Sequence, residues 1–230
     1  MYQPIEKINL SERVYGRIRL ALMDGQYQPG ERLRISQLAS EFAVSITPVR
    51  EAIFRLVSEQ ALEMKAATAI FVPEMTVEQL KEIQLIRHLL EGEAAALAAE
   101  RITSAELDAL EELQQRFLDV FVSDAKKASM LNWEFHFRLI SAARMPVMLK
   151  TLENMWVSMG PILRTFHIEV PQRDLDLETH KHHEIIQALR ARDPNKAKAA
   201  LQADISWGSI LIEWLENRER CREAEAGMLS

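Results

Sequence analysis

The chain has 230 residues, of which 48% are hydrophobic and 27% are charged, and this ordinary globular composition excludes a disordered, collagen-like or low-complexity protein. The net charge of −6 argues against non-specific coating of nucleic acid. The charge is unevenly spread, because residues 1–75 carry nine Lys/Arg and nine Asp/Glu, whereas residues 76–230 carry the whole acidic excess. A DNA-binding surface is therefore expected in the first third of the chain.

Signals for secretion and membrane insertion are missing from the pattern. The single cysteine, Cys221, cannot form an internal disulfide, which favours an intracellular protein. The first seven residues contain no apolar stretch typical of a secretory signal. The longest apolar run, residues 94–99, is far shorter than the roughly 20 residues of a membrane span. We therefore expect a cytoplasmic protein without a membrane segment.

The sequence predicts mainly helices, because it contains only seven Gly and eight Pro, the residues that interrupt helices. Capping boxes begin helices after Thr76 and Thr103, and Asp193-Pro194 begins another. We predict helices at residues 9–24, 36–42, 47–59, 77–100, 104–122, 125–143, 146–166, 176–191 and 194–218.

One segment departs from the helical pattern. Residues 61–65 and 69–73 read as two short strands around a turn, since β-branched and aromatic residues fill the second of them and Pro73 ends it. The sequence thus predicts a mainly α protein with a domain boundary near residue 75. Residues 1–75 would form a winged DNA-binding domain, and residues 76–230 an all-helical domain.

A helix-turn-helix is the first functional pattern. Ser36 caps a short helix, residues 43–45 form a tight turn, and the next helix begins at Thr47-Pro48. Ala39 is the small residue where the two helices cross. In this layout the second helix enters the major groove by its N-terminus. The alternative is a helical hairpin inside a larger core.

The residues at that N-terminus suit DNA. The hydroxyls of Ser45 and Thr47 suit phosphate oxygens, and Arg50, one turn further on, could reach a guanine edge. Arg34 is an additional cation, and the strands at residues 61–73 occupy the place of a wing.

These residues also carry a family resemblance. Residues 24–33, Leu38-Ala39 and residues 44–52 occur in the order found in GntR-family transcription regulators, and the resemblance covers residues 9–73. It implies a winged helix-turn-helix that binds a double-stranded operator. Where the family often has arginine, this chain has Ile46 and, in the wing, Thr68, which we include among the DNA contacts. Gln60 and Ala69 replace family glycines, so the family's usual operator sequence does not transfer.

Four candidate metal ligands lie on three predicted helices. Asn132 and His136 are four residues apart and share one helix face. His182 lies 11 residues before Asp193, and Asp204 lies 11 after it. If the turn at Asp193 joins antiparallel helices, a rise of ~1.5 Å per residue puts both side chains at one level. Such a set suits Zn, Mn, Fe or Ni. The alternatives are structural histidines or a polar, water-filled pocket.

The second half resembles the FCD ligand-binding domain of the FadR subfamily, in the shorter VanR-like form with about six helices. The matching stretches are residues 86–95, 132–136 and 182–193, within coverage of residues 76–216. Many FCD domains bind a metal through one Asp and three His, and the aligned positions here are Asn132, His136, His182 and Asp204. The resemblance also suggests that Arg87 grips an effector carboxylate, whereas its spacing from Glu91 fits a simple ion pair.

The leading hypothesis is a bacterial transcription regulator whose operator binding responds to a small organic acid, with a divalent metal in the effector pocket. We expect a homodimer, with Met155-Trp156 among the segments that supply apolar pairing surface. One alternative is a helical metal-dependent enzyme using His136, His182 and Asp204. Another is an interaction protein whose helical half binds a partner protein.

Overall fold

A computed structural model describes residues 10–65, 69–121, 123–170, 181–206 and 208–228. The elements of the first part are three helices and three short strands: α1 (Leu10–Met23), β1 (Arg32–Leu33), α2 (Ile35–Glu41), α3 (Ile46–Ser58), β2 (Glu63–Lys65) and β3 (Ala69–Phe71). The elements of the second part are helices: α4 (Val77–Arg101), α5 (Ser104–Val120), α6 (Ala125–Ala142), α7 (Pro146–Glu169), α8 (Lys181–Arg190), α9 (Pro194–Ser206) and α10 (Ser209–Met228).

The described residues divide into two compact units. The first contains the described residues up to Glu74 together with Trp156–Ile162 of α7, and the second contains Met75–Met155 and the described residues from Leu163 onward. The fold class predicted from the sequence, a winged helix-turn-helix followed by a helical bundle, is confirmed. None of the described helices is long and apolar enough to cross a membrane.

The first unit joins the helix-turn-helix to a small antiparallel sheet. α3 packs on α1 and α2, with Ile18, Val49 and Ile53 fully buried between them. The sheet has the strand order β1-β3-β2, in which Leu33 pairs with Ile70 and Met64 pairs with Ile70 from the other side. The sequence predicted β2 and β3 but missed β1, because a strand of two residues shows no periodicity.

The second unit is built around the packing of α4 against α9. Small residues on α4, among them Ala95, Ala98 and Ala99, are fully buried together with Ala197 and Leu201 of α9. Gly92 leaves room for a side chain of α9, because an added Cβ would lie 2.8 Å from Cγ of Gln202. Through this packing, α9 contributes Ala197, Leu201 and Ile205 to the core of the second unit.

One helix prediction is wrong in its extent. The sequence predicted a single helix over residues 194–218, but α9 ends at Ser206 and α10 begins at Ser209, so the described part of this unit has seven helices rather than six. Gly208 lies at the break, where glycine costs a helix about 1 kcal/mol relative to alanine. An added Cβ there would lie 2.1 Å from Nε2 of Gln84. For the helix predicted at 176–191, residues 176–180 lie outside the described residues.

Candidate functional site

The recognition helix α3 has one buried face and one exposed face. Its buried residues are Pro48, Val49, Ala52, Ile53 and Leu56, which give it an apolar stripe of helical period. Its exposed side chains include those of Ile46, Thr47, Arg50 and Phe54. At the turn before α3, Ala43 adopts a left-handed φ of 52°, and the buried Ala39 accepts a hydrogen bond from the backbone N–H of Val44 at 3.0 Å.

The structure exposes the described residues predicted to contact DNA. Ser45 is the N-cap of α3, but its side chain makes no capping hydrogen bond. Arg50 is exposed and makes no ion pair within the described part of the chain. Arg34 is exposed at the N-cap of α2. Thr68 lies outside the described residues.

Arg55, on the same helix as Arg50, is held by other side chains. Its guanidinium lies 3.7 Å from the ring centroid of Tyr15 and pairs with Glu12 and Glu59. The hydroxyl of Tyr15 donates to Glu59 at 2.6 Å. Burial and this hydrogen bond raise the pKa of Tyr15 to about 12. The contacts of Arg55 thus link α3 to α1, whereas the side chain of Arg50 is exposed.

Three of the four predicted metal ligands come together in the helical unit. Nε2 of His136 on α6 lies 3.2 Å from Oδ2 of Asp204 on α9, and Nε2 of His182 on α8 lies 3.9 Å from Oδ1 of the same carboxylate. One ligand atom from each residue lies within 4.8 Å of the others. His136 and His182 are buried, and Asp204 is partly buried. Asn132, one turn before His136, is partly buried.

The opposite nitrogen of each imidazole is held by an acceptor. Nδ1–H of His136 donates to Oε2 of Glu91 at 2.9 Å, and Nδ1–H of His182 donates to Oε1 of Gln114 at 2.7 Å. Both rings thereby turn Nε2 toward Asp204. This is the arrangement that metal-ligating histidines adopt, with the second nitrogen donating to a carboxylate or carbonyl. The donor set therefore fits a divalent metal ion.

Glu91 connects this cluster to Arg87. Oε1 of Glu91 accepts from Nε of Arg87 at 2.6 Å, and both side chains are buried. Burial disfavours charge on Glu91, yet Arg87 and His136 lower its pKa to about 2. Burial likewise disfavours charge on His136, but its bonds with Asp204 and Glu91 raise its pKa to about 9. Both shifts favour the charged forms of Glu91 and His136.

The sequence does not indicate two residues of this site. Its spacing pairs Glu91 only with Arg87, four residues before it, and no pattern marks Gln114. Glu91 lies 45 residues from His136, and Gln114 lies 68 residues from His182. No local pattern links residues so far apart in the chain.

Comparison with known proteins decides the family. Residues 10–72 match the family "Bacterial regulatory proteins, gntR family", and residues 82–206 match the FCD domain. The chain belongs to the GntR family. The HTH-type transcriptional regulator McbR of Escherichia coli K12 is 34% identical over 209 residues, which cover 90% of this chain and 94% of McbR. The Nta operon transcriptional regulator of Aminobacter aminovorans is 31% identical over 168 residues, 73% of this chain and 78% of that protein.

Solved structures of the GntR family agree with this assignment. The structure of E. coli McbR/YncC matches with a TM-score of 0.82 and 32% identity, and it covers 89% of this chain and 97% of that one. A GntR regulator from Rhodococcus sp. RHA1 has the same fold, with a TM-score of 0.73 and 23% identity over 88% of this chain and 96% of that one. The chain is accordingly a transcriptional regulator, and the enzyme alternative is set aside.

Proposed function

We propose that this regulator binds a divalent metal ion through His136, His182 and Asp204, with Asn132 as a further ligand, and that a small organic acid bound beside it controls operator binding. The observation that carries the proposal is the convergence of the three donor groups within 4.8 Å. Zn, Ni, Mn and Fe all accept such mixed nitrogen and oxygen ligands. The acceptors on both Nδ1 atoms support the same interpretation.

Arg87 is the proposed second anchor for the effector. A metal ion supplies positive charge that attracts a carboxylate strongly where water is excluded. Arg87 adds a planar guanidinium suited to bidentate binding of a carboxylate. Because Glu91 already accepts from Arg87 at 2.6 Å, an effector carboxylate would share this arginine with Glu91. An effector that changes the contact between Arg87 and Glu91 would in this way also change the hydrogen bond between Glu91 and His136.

Operator binding is assigned to residues 1–75, and effector binding and pairing to residues 76–230. We infer that Arg50 reads a base and that Ser45 and Thr47 contact phosphate, supported by their exposure at the N-terminus of α3. Arg34 and Thr68 would add contacts at α2 and in the wing. Two recognition helices would come from a homodimer, since helix-turn-helix proteins commonly read two-fold operators.

The metal proposal is tested by metal content and thermal shift. The full-length protein should take up Zn, Ni, Mn or Fe after chelation and gain thermal stability, because a ligand bound only to the folded state stabilises that state. His182→Ala should lose the metal, whereas His183→Ala, which removes the exposed neighbouring histidine, should retain it. Asp204→Ala should weaken uptake, and Asp204→His should keep it.

The effector proposal is tested with a panel of small carboxylic acids on the same proteins. An acid that raises the melting temperature of the metal-loaded wild type should have no such effect on His182→Ala. Arg87→Lys should respond at higher acid concentrations. A protein that binds none of the four metals and still responds to an acid would contradict the metal assignment, and the four residues would then line a polar pocket.

A further inference from the structure

An isoleucine is exposed on the recognition helix, beside the arginine expected to read a base. Ile46 is the first residue of α3 and its side chain is 47% exposed. It lies four residues before Arg50, so both side chains project from the same face of the helix. The apolar face that fills the core of this unit is carried by other residues, Val49 and Ile53 among them. The side chain of Ile46 is therefore not needed for that core.

Isoleucine is selective among base edges. It cannot donate or accept a hydrogen bond, so it cannot recognise guanine, adenine or cytosine by their polar groups. Thymine alone presents a methyl group in the major groove, and apolar side chains contact it there. Isoleucine is also stiff at χ1, so little rotamer freedom is lost on contact. Burying one methyl group is worth about fourfold in affinity, by the transfer free energy of one CH₂ group.

We propose that Ile46 reads a thymine through its 5-methyl group in each operator half-site, close to the base contacted by Arg50. The inference rests on the proposed operator contacts of α3 and adds the identity of one base. The N-terminal residues of a recognition helix are the ones that reach base edges, and Ile46 stands first among them.

The test uses full-length protein and a library of random DNA duplexes. Wild-type protein is used to select a binding motif, and each thymine of the best duplex is then replaced singly by deoxyuracil, which removes only the methyl group. At one position per half-site the wild type should lose about fourfold in affinity. Ile46→Ala should be insensitive to that replacement, and Ile46→Arg should select guanine there.

Phe54 provides the matched control. It is exposed to a similar degree, 48%, but lies eight residues further along α3, roughly 12 Å from Ile46 along the helix axis. Phe54→Ala should keep the wild-type sensitivity to deoxyuracil. A motif without any residue-46-dependent thymine would overturn this inference alone. Failure to select any motif would contradict the proposed operator contacts and the inference with them.

Discussion

Glu91 carries a negative charge inside the helical unit, and two neighbours stabilise it there. A buried carboxylate costs several kcal/mol unless it is paired and hydrogen-bonded. Arg87 and His136 both contact its oxygens, at 2.6 and 2.9 Å. The same contacts make Glu91 the bridge between the proposed effector arginine and a proposed metal ligand. A single residue thus links the two functions assigned to this pocket.

Gln114→Leu should weaken metal binding about 10- to 100-fold, as loss of outer partners typically does. The substitution removes the amide oxygen that accepts from Nδ1–H of His182 at 2.7 Å and orients the ring. Titration calorimetry with Zn²⁺ on the chelated protein measures the effect. Gln115→Leu, at the exposed neighbouring position, is the control and should bind as the wild type does. Equal affinities for the two variants would show that Gln114 does not position His182.

Arg50→Ala should weaken operator binding by ~1–3 kcal/mol and relax the preference at one base pair. The reason is that Arg50 is exposed one turn into α3, without an ion pair in the described part of the chain. Thr47→Ala should cost less and act on all sequences alike. Gel shifts with the selected duplex measure the operator affinity of both variants. Arg116→Ala, which removes the same charge from the exposed side of α5, should leave affinity unchanged; a similar loss in both arginine variants would point to net charge alone.

At the scale of elements, α4 and α5 begin in the same way. Thr76 and Thr103 cap the two helices, and the residue three positions later, Gln79 or Glu106, bonds back to the backbone of the cap. Only the second carries a charge, and its carboxylate also accepts from Arg144 at 2.8 Å. A backbone hydrogen bond from Thr103 and then the bond from Arg144 lower the pKa of Glu106.

Glu106→Gln should keep the capping hydrogen bond and lose the charge. It should therefore lower the free energy of unfolding of the protein by less than about 1 kcal/mol at neutral pH. Because the folded-state pKa of Glu106 is lowered, its contribution is present above the ordinary carboxyl pKa and disappears as the pH falls through the lowered pKa. Urea unfolding of the variant and the wild type at pH 7 and at decreasing pH down to about 2 measures the difference. Glu112→Gln, in the exposed middle of α5, is the control that removes a carboxylate elsewhere on the same helix. A stability difference between Glu106→Gln and the wild type that stays constant with pH would contradict the assignment.

At the scale of the whole molecule, the exposed apolar residues matter for assembly. The sequence suggested Met155-Trp156 as pairing surface, but Trp156 is only 4% exposed, so that suggestion is wrong for the tryptophan. Exposed leucines lie instead on α4, where Leu85 and Leu89 are one turn apart and 59% and 56% exposed. These two leucines are therefore the candidates for the pairing surface.

The full-length protein should therefore be a homodimer in solution. Light scattering at micromolar concentration should give twice the chain mass. Leu85→Glu together with Leu89→Glu should shift the protein toward monomers, because four carboxylates would be brought into one two-fold contact. Gln115→Glu, which adds a carboxylate at an exposed position of another helix, α5, should leave the mass unchanged. A wild type that is monomeric under these conditions would contradict the homodimer.

Much of the fold could be read from short stretches of sequence. The capping boxes at Thr76 and Thr103 place the starts of α4 and α5 correctly, since a cap depends only on residues three positions apart. The helix-turn-helix was likewise predicted from neighbouring residues. The break between α9 and α10 was not predicted, and at Gly208 an added Cβ would lie 2.1 Å from Nε2 of Gln84 on another helix, a contact that no local pattern reveals. The strand β1 was missed for a similar reason, since it exists through pairing with β3.

The sequence by itself determined which residues could form the proposed metal site, and the tertiary structure decided what surrounds them. Spacing along the helices was enough to suggest that His136, His182 and Asp204 meet. It could not reveal that Glu91 and Gln114 hold the other side of each imidazole, because α4 and α5 supply them from distant parts of the chain. Helical spacing is a local property of the backbone. Hydrogen bonds between helices depend on how their faces pack, and here the buried face of α4 that packs in the core consists largely of alanines.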